Sequence, residues 1–380
     1  MIKLTFVILL SAITLYAQDV KFDSLVNTGI KQIYNIKFDQ AGKSFRQLIA
    51  DYPDHPAGRF FLAMIDWWKI LMNPDDESHD DIFYQKLEDV IFHCDQMLEK
   101  DPDNVDALFF KGGSVGFRGR LRAFRESWLK AADDGREALP IVERAAQLDP
   151  GNPDVKLGFG IYNYYAAVIP EEYPLIKPLM IFFPSGDKKL GIKQLTETAF
   201  SGRYARYEAQ YFLTTLYFRY ENNPYKADEF ASMLVAEFPD NPVFQRWLGR
   251  IKVKQGKYAA ADSIFSDVIR KYKENYSGYD NQKGIRESYY YIGVHQKNIG
   301  NVDSALVLFR MCSELSEKLD GDSESGFRIN SEIYIAQILD QKGEDEAAIE
   351  IYERLLDMDE YGNSHQIAEN NLKRLRGKSH

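Results

Sequence analysis

The chain is poor in cysteine, which limits the covalent and metal chemistry available to it. Its 380 residues include two cysteines, Cys94 and Cys312, which lie far apart and in no spacing typical of a metal site. Isolated cysteines of this kind are more often small buried hydrophobic residues than members of a disulfide or a zinc site. The sequence therefore predicts a fold that depends on packing.

An excess of positive charge is also lacking. The formal net charge is −10 at pH 7, and 27% of the residues are charged. A nucleic-acid-binding protein needs basic side chains to displace the counterions of phosphates. The sequence therefore predicts no nucleic-acid partner. The hydrophobic content of 45% is ordinary for a folded protein.

The common catalytic and cofactor-binding motifs are missing as well. The sequence contains no Gly-x-Ser-x-Gly, no P-loop and no His-Glu-x-x-His. None of the six histidines has a second ligand at helical spacing in an apolar context, and His79 lies in an acidic loop. Gly158 and Gly160 form a lone Gly-x-Gly inside a helical pattern, which indicates close packing. We therefore predict no catalytic residue, no metal and no cofactor.

A long apolar run occurs only at the start of the chain. The stretch MIKLTFVILLSAITLYAQD has one lysine, Lys3, then apolar residues up to Tyr16, then Ala17. This order is typical of a secretory signal peptide, and the run is short for a spanning helix. We predict a signal peptide over 1–17 and export to the periplasm or cell envelope. If the leader is not cleaved, the same segment is an N-terminal membrane anchor.

Four similar stops divide the chain into units. They are ADYPDHP, EKDPDNV, QLDPGNP and AEFPDNP, which contain Pro53, Pro102, Pro150 and Pro239 at similar intervals, the last interval being about doubled. A residue that precedes proline is biased away from the helix, so each stop predicts the end of one helix before the next unit.

The C-terminal half repeats a register of small and aromatic residues. Three stretches align without gaps at four kinds of position, which are a small residue, a turn glycine, an alanine and an aromatic ring. In order these are Gly249, Gly293 and Ala336; Gly256, Gly300 and Gly343; Ala261, Ala305 and Ala348; and Phe265, Phe309 and Tyr352. This register resembles the tetratricopeptide repeat, with units longer than the usual ~34 residues.

The resemblance implies an all-α fold. We expect a superhelical solenoid of about eight helical pairs over 18–380, with a closing helix and tail at 364–380. The N-terminal unit fits the same register through Gly29 and Phe45. In this repeat the first helix of each pair lines the concave face.

A proline-rich apolar insert interrupts the repeats at 168–186, within the unusual stretch 160–191. It contains Pro170, Pro174, Pro178 and Pro184, so most of 169–184 is not expected to form one helix. A new helix is expected after the Ser-Gly-Asp cap that ends at Asp187. We interpret the insert as structural and partner-contacting, with Tyr164, Tyr165, Phe182 and Phe183 as contact candidates; a membrane-surface hairpin and a catalytic loop are the alternatives.

The central segment carries a second resemblance. The stretches FFKGGSVGFRGRLRAFRESWLKA and FPSGDKKLGIKQL flank the insert. Their order resembles the tetratricopeptide repeat protein 39 family, which also includes a fungal protein associated with inclusion-body clearance. The resemblance covers roughly 108–200 and implies a shared repeat architecture with the insert built in.

Arginines are concentrated in the run RGRLRAFR. Helical spacing places Arg118, Arg122 and Arg125 along one face and Arg120 off it. We expect ion pairs with acidic neighbours such as Glu126 or Asp134. Contact with an anionic ligand is the alternative.

Helical register also predicts a basic, aromatic-lined groove on the first helices. Its candidate residues are Arg219, Arg246, Arg250, Lys254, Tyr290 and Lys297. Arginines and aromatic rings are suited to an acidic peptide or a C-terminal carboxylate. In this interpretation the cations are solvated, so reversing the charge of Arg250 should leave the fold intact. The alternative is a scattered set of solvated helix charges.

Together these features predict a non-catalytic protein-interaction scaffold of the bacterial cell envelope, which binds a protein or peptide partner. One alternative is a glycan-binding accessory protein, with Trp67, Trp68 and the tyrosines of 162–165 stacked on sugars. The other is an enzyme with its site at 160–191, which a pocket joining Tyr164, Tyr165, Lys188 and Arg118 would indicate. Contact with a membrane surface is compatible with the insert.

The predicted leader can be tested directly. Protein expressed with its own N-terminus in a bacterial host should begin at Gln18, because Ala17 provides the small residue before the cut. N-terminal sequencing of the mature protein measures this. A soluble cytosolic product that begins at Met1 would contradict it.

Overall fold

The computed structural model describes residues 20–172 and 184–378. Within these two ranges the chain forms seventeen helices and no strand. The predicted signal peptide at 1–17 and the candidates Phe182 and Phe183 lie outside the described residues. The all-α prediction is confirmed for the described part of the chain.

The helices form two compact units, of which the first extends to Asn241. Its ten described helices are α1 (20–34), α2 (Phe38–Asp51), α3 (Ala57–Met72), α4 (Asp80–Lys100), α5 (Val105–Phe124), α6 (Trp128–Leu148), α7 (Val155–Glu172), α8 (Lys188–Ser201), α9 (Arg206–Arg219) and α10 (Pro224–Glu237). Consecutive helices pair into five hairpins, whose first helices are α1, α3, α5, α7 and α9.

The second unit begins at Pro242. It contains α11 (Pro242–Lys254), α12 (Tyr258–Lys273), α13 (Gln282–Asn298), α14 (Val302–Leu319), α15 (Gly326–Gln341), α16 (Asp345–Asp357) and α17 (Ser364–Lys378). These helices form three hairpins and a closing helix, which agrees with the expected eight pairs and final helix. A single solenoid over 18–380 stays a prediction.

The proline stops end helices as predicted. Helices α2, α4, α6 and α10 each end two residues before the proline of their stop, at Asp51, Lys100, Leu148 and Glu237. The next helix often begins with a side-chain cap, as where Asn104 Oδ1 accepts a hydrogen bond from the Ala107 N–H at 2.9 Å. Such a cap satisfies one of the free N–H groups of the first turn.

The small–aromatic register reflects direct contact within each hairpin. A methyl group added to Gly249 would lie 2.6 Å from Phe265 Cζ, and one added to Gly293 would lie 2.9 Å from Phe309 Cε1. The rings of Phe265 and Phe309 are fully buried. The glycines are therefore needed because an aromatic ring of the second helix packs directly on the backbone of the first.

The turn glycines also have a structural reason. Gly256, Gly300 and Gly343 have φ of 73°, 84° and 78°, a left-handed conformation that costs glycine little. In unit 1 the non-glycine residues Ile36 and Glu126 adopt similar φ values of 59° and 58° in the turns after α1 and α5. The same turn is therefore built in both units.

The insert departs from its prediction at one end. Helix α7 includes Pro170 and Glu172, which lie inside the stretch 169–184 that was not expected to form one helix. Proline removes one backbone hydrogen bond to the preceding turn, which the rest of α7 tolerates. At the other end the prediction is confirmed, since the side chain of Asp187 caps α8 through the N–H of Leu190 at 3.0 Å.

The contact between Gly249 and Phe265 predicts the effect of a single methyl group. Gly249→Ala should lower the free energy of unfolding by about 1–3 kcal/mol, because the ring is fully buried and cannot move without strain. A urea titration measures the difference. Gly116→Ala is the matched control, because Gly116 is also inside a helix but has no atom within 4 Å of the added methyl. Its effect should be neutral or stabilising by up to about 1 kcal/mol, and equal losses for the two variants would contradict the prediction.

Candidate functional site

The predicted groove arginines of unit 2 meet a buried carboxylate. Arg246 and Arg250 lie one turn apart on α11, and both reach Glu287 on α13. The Nη2 atoms of Arg246 and Arg250 lie 3.0 Å and 2.6 Å from Glu287 Oε2, and Arg250 Nε also donates to Oε1. The Glu287 side chain is 1% exposed, whereas those of Arg246 and Arg250 are 19% and 30% exposed.

The electrostatics of Glu287 are dominated by this pairing. Burial acts to raise the pKa of its carboxyl, but the charges of Arg250 and Arg246 and their hydrogen bonds outweigh burial and hold the pKa below its usual value. Glu287 is therefore ionised at neutral pH. One buried negative charge is thus shared by two guanidinium groups.

This cluster corrects the expectation that these cations are solvated. Arg250 also stacks over the Trp247 ring, with its guanidinium carbon 5.4 Å from the ring centroid. The two arginines therefore join α11 to α13. Reversal of the charge at Arg250 would place a second carboxylate beside a buried one.

Partly exposed aromatic rings adjoin the arginines. Tyr290 and Tyr291 on α13 and Phe327 and Tyr334 on α15 are each half-buried. The Tyr290 ring centroid lies 5.3 Å from those of Tyr291 and Phe327 and 6.2 Å from that of Tyr334. The contacts of Tyr290 with Tyr291 and Phe327 are edge-on and that with Tyr334 is tilted, so the four rings form one cluster.

Two more cations flank these rings. Lys297 Nζ lies 5.0 Å from the centroid of the Tyr334 ring, and the Arg286 guanidinium carbon lies 5.1 Å from that of Phe327. Arg286 is also paired with Asp320 at 2.7 Å. Lys254 is exposed at the end of α11.

We call this set the aromatic–arginine surface of unit 2. It consists of Arg246, Arg250, Glu287, Tyr290, Tyr291, Lys297, Phe327 and Tyr334. Four of the predicted groove residues therefore come together: Arg246, Arg250, Tyr290 and Lys297. Arg219 belongs to unit 1, where it is the exposed last residue of α9.

In unit 1 some large aromatic residues of the first helices are buried. Trp67 and Trp68 on α3 are 1% and 2% exposed. Arg120 on α5 lies between rings, with its guanidinium carbon 4.5 Å from the Trp67 centroid and 4.1 Å from that of Phe212. A sugar therefore cannot stack on Trp67 or Trp68, which contradicts the glycan-binding interpretation of these residues.

The two described insert candidates pack inside unit 1. Tyr164 is fully buried, and its hydroxyl donates to Glu221 Oε1 at 2.6 Å. Burial, and then the hydrogen bond to Glu221, raise the pKa of Tyr164. Lys188 pairs with the same carboxylate at 2.8 Å. Tyr165 packs on Phe212 and Tyr220, with ring centroids 6.3 Å and 5.8 Å apart.

These contacts bear on the enzyme alternative. Of the four side chains that would mark a pocket, Tyr164 and Lys188 meet at Glu221, whereas Tyr165 packs on aromatic rings. Arg118 lies in a separate cluster with Asp134 and Glu137 at 2.7 Å. The four side chains therefore do not converge.

The arginine run forms the expected ion pairs. Arg118 and Arg122 both pair with Asp134, at 2.7 Å and 2.6 Å, and Arg125 pairs with Asp80 at 2.6 Å. Glu126, the other expected partner, instead lies in the turn after α5. The off-face residue Arg120 points elsewhere, to Glu208 on α9 at 2.5 Å.

Two acidic residues that form these ion pairs were not identified from the sequence. Glu287 and Glu208 are single carboxylates inside aromatic-rich first helices, and neither forms a motif with its sequence neighbours. Their positions in the repeat offer a possible signal. A single acidic residue on the first helix of one hairpin, with arginines on the first helix of another, suggests an ion pair between the hairpins.

Groups of metal-binding side chains and membrane-spanning helices are both lacking among the described residues. In the part of the chain that the structure describes, no three His, Cys, Asp or Glu side chains are grouped as a metal ion would require. None of the helices in 20–172 and 184–378 combines the length and apolar content needed to cross a membrane.

Comparison with known proteins gives similar folds at low identity. No family model and no curated protein matches the chain, so the resemblance to the tetratricopeptide repeat protein 39 family is not confirmed. A crystal structure of PilW, a type IV pilus biogenesis factor, is 15% identical with a TM-score of 0.41, over 67% of this chain and 96% of that one.

Two other solved structures are similar at the same level. Cut9–Hcn1 of the APC/C is 16% identical, with a TM-score of 0.40 over 94% of this chain and 72% of that one. Human IFIT1 with a capped RNA is 15% identical, with a TM-score of 0.41 over 94% and 86%. Because these TM-scores are below 0.5, the fold assignment depends on the hairpins themselves.

The Glu287 cluster predicts a stability effect at Arg250. Arg250→Glu should lower the free energy of unfolding by about 3–5 kcal/mol, because it leaves a buried carboxylate facing a like charge. Thermal and urea melts measure this. Arg310→Glu is the matched control, since Arg310 is exposed on α14 of the same unit, and it should stay within about 0.5 kcal/mol of the parent. Equal melts for the two variants would show that Arg250 is a solvated groove cation after all.

Proposed function

We propose that this chain is a non-catalytic protein-interaction scaffold of the bacterial cell envelope. Its partner is an acidic peptide or protein segment, which binds on the aromatic–arginine surface of unit 2. The observation that carries the proposal is the continuous set of half-buried rings of Tyr290, Tyr291, Phe327 and Tyr334, bordered by cations.

The chemistry of this surface favours an acidic partner with apolar side chains. Half-buried aromatic rings can bury more area when a partner covers them, and tyrosine and arginine dominate the binding energy of many interfaces. The partly exposed guanidinium groups of Arg246 and Arg250 suit charge-assisted hydrogen bonds to a carboxylate. Lys297, which lies over the Tyr334 ring, adds a further cation.

Unit 2 is preferred over unit 1 for a physical reason. Three large aromatic residues on the first helices of unit 1, Trp67, Trp68 and Phe212, are buried within their own unit. A partner therefore cannot gain affinity by covering them. The same burial removes the support for glycan binding at these tryptophans.

The location in the envelope follows from the N-terminal sequence. The apolar run before Ala17 is typical of an export signal. The proposal includes no nucleic-acid partner, because the net charge of −10 opposes phosphate binding. Lys254 at the end of α11 is included as a proposed partner contact, whereas Arg219 belongs to unit 1 and is left out of this surface.

Site-specific photo-crosslinking tests the surface. A photoreactive phenylalanine analogue replaces Tyr334 in the full chain, which is then exposed to cell-envelope extract. We expect covalent capture of a protein segment rich in Asp and Glu. The matched control carries the analogue at Val307, which is 57% exposed on α14 and outside the proposed surface. Equal capture at both positions, or a captured segment without acidic excess, would contradict the proposal.

The contribution of charge is tested by reversal at a cation that has no buried carboxylate partner. Lys297→Glu should weaken the binding of the captured partner by about 1–2 kcal/mol, the range of a charge-assisted contact. The melting temperature of the protein should change little. Lys318→Glu is the control, because Lys318 is exposed on α14. If the two variants recover the partner equally, the cations do not select it.

A further inference from the structure

The first and fifth hairpins of unit 1 are in direct contact, although they are far apart in sequence. The Tyr34 ring, just at the end of α1, lies 5.2 Å from the rings of Tyr207 on α9 and Phe238 after α10. It also lies 4.9 Å from Trp68 on α3. All four side chains are buried or half-buried.

Polar contacts follow the same line. The buried side chain of Asn241 donates from Nδ2 to the Tyr34 carbonyl at 2.8 Å, across 207 residues. Lys31 pairs with Glu237 at 2.7 Å, and Asp23 pairs with Arg203. We call this set of contacts between 20–37 and 203–241 the seam of unit 1.

An ion pair next to the seam joins the third hairpin to the fifth. Arg120 on the third hairpin donates to Glu208 Oε1 on the fifth at 2.5 Å, and Tyr34 Oη lies 3.4 Å from Glu208 Oε2. Burial, and then the charge of Glu208, raise the pKa of Tyr34, so its hydroxyl stays protonated and donates. The first, third and fifth hairpins therefore meet at one carboxylate.

Such contacts differ from those of an ordinary repeat stack. In a stack each repeat contacts only its neighbours, so stability is local and the ends fray independently. Here the first hairpin contacts the fifth, which links the two ends. We infer that unit 1 is a closed ring, whose seam holds the first and fifth hairpins together and makes them open as one cooperative unit.

The consequence is a coupling between distant hairpins. While the seam is closed, Trp68, Tyr207 and Phe238 pack on Tyr34. If the seam opens, the amides of α1 and of the pair α9–α10 lose their protection from hydrogen exchange together. In a linear stack, loss of contacts at Tyr34 would affect only the first two hairpins.

Hydrogen exchange of the full chain separates these cases. In Tyr34→Ala, amides of α9 and α10 should exchange about tenfold faster or more, together with those of α1, because opening free energies are shared within a cooperative unit. Tyr34→Phe keeps the ring contacts, so its amide exchange rates should stay much closer to those of the parent protein. Leu372→Ala in α17 is a control of similar burial and should change exchange only within unit 2. Faster exchange confined to α1–α4 in Tyr34→Ala would overturn the closed ring.

A cross-link tests the seam without removing a core residue. The variant Lys31→Cys/Glu237→Cys is treated with a short bismaleimide, and the native Cys94 and Cys312 do not compete because both are fully buried. We expect efficient cross-linking in the monomer and slower exchange in both α1 and α10. Failure to cross-link, or slowing at one end alone, would show that the ends are not held together in solution.

Discussion

The ion pair between Arg120 and Glu208 is the contact on which the closed form of unit 1 depends. It lies in a region where charges are costly to bury, since an unpaired charge there would lose its hydration. Three aromatic rings surround the guanidinium, including Phe117 at 5.6 Å, and replace part of that hydration. Because Glu208 also faces Tyr34, one carboxylate fixes the relative position of three hairpins.

Unit 2 also contains a buried carboxylate that pairs with arginine, but its neighbouring aromatic rings differ in burial. Glu287 is buried, as Glu208 is, and its two arginines are partly exposed, as Arg120 is. The difference lies in the neighbouring rings, because Trp67 and Phe212 beside Arg120 are buried, whereas Tyr290 and Tyr291 are half-buried. A buried carboxylate therefore orients cations beside buried rings in unit 1 and in a unit with half-buried rings in unit 2.

The hairpins themselves depend on contacts close in sequence. Gly249 and Phe265 lie on the two helices of one hairpin, and the turn at Gly256 joins them. The proline stops act on the next turn of helix only. For this reason the number of hairpins, the closing helix and the ends of α2, α4, α6 and α10 were predictable. The extension of α7 through Pro170 was missed, because proline limits a helix without deciding in which turn it ends.

The sequence by itself determined the local architecture: an all-α chain of helical hairpins, the small–aromatic register within them and the ion-pairing face of Arg118, Arg122 and Arg125. Only the tertiary structure decided which side chains are available for binding. Trp67 and Trp68 looked suitable for a ligand but are buried, and Arg250 looked solvated but holds Glu287, 37 residues away on another hairpin. Contacts between hairpins depend on how the helices are arranged in space, and no spacing along the chain encodes that arrangement.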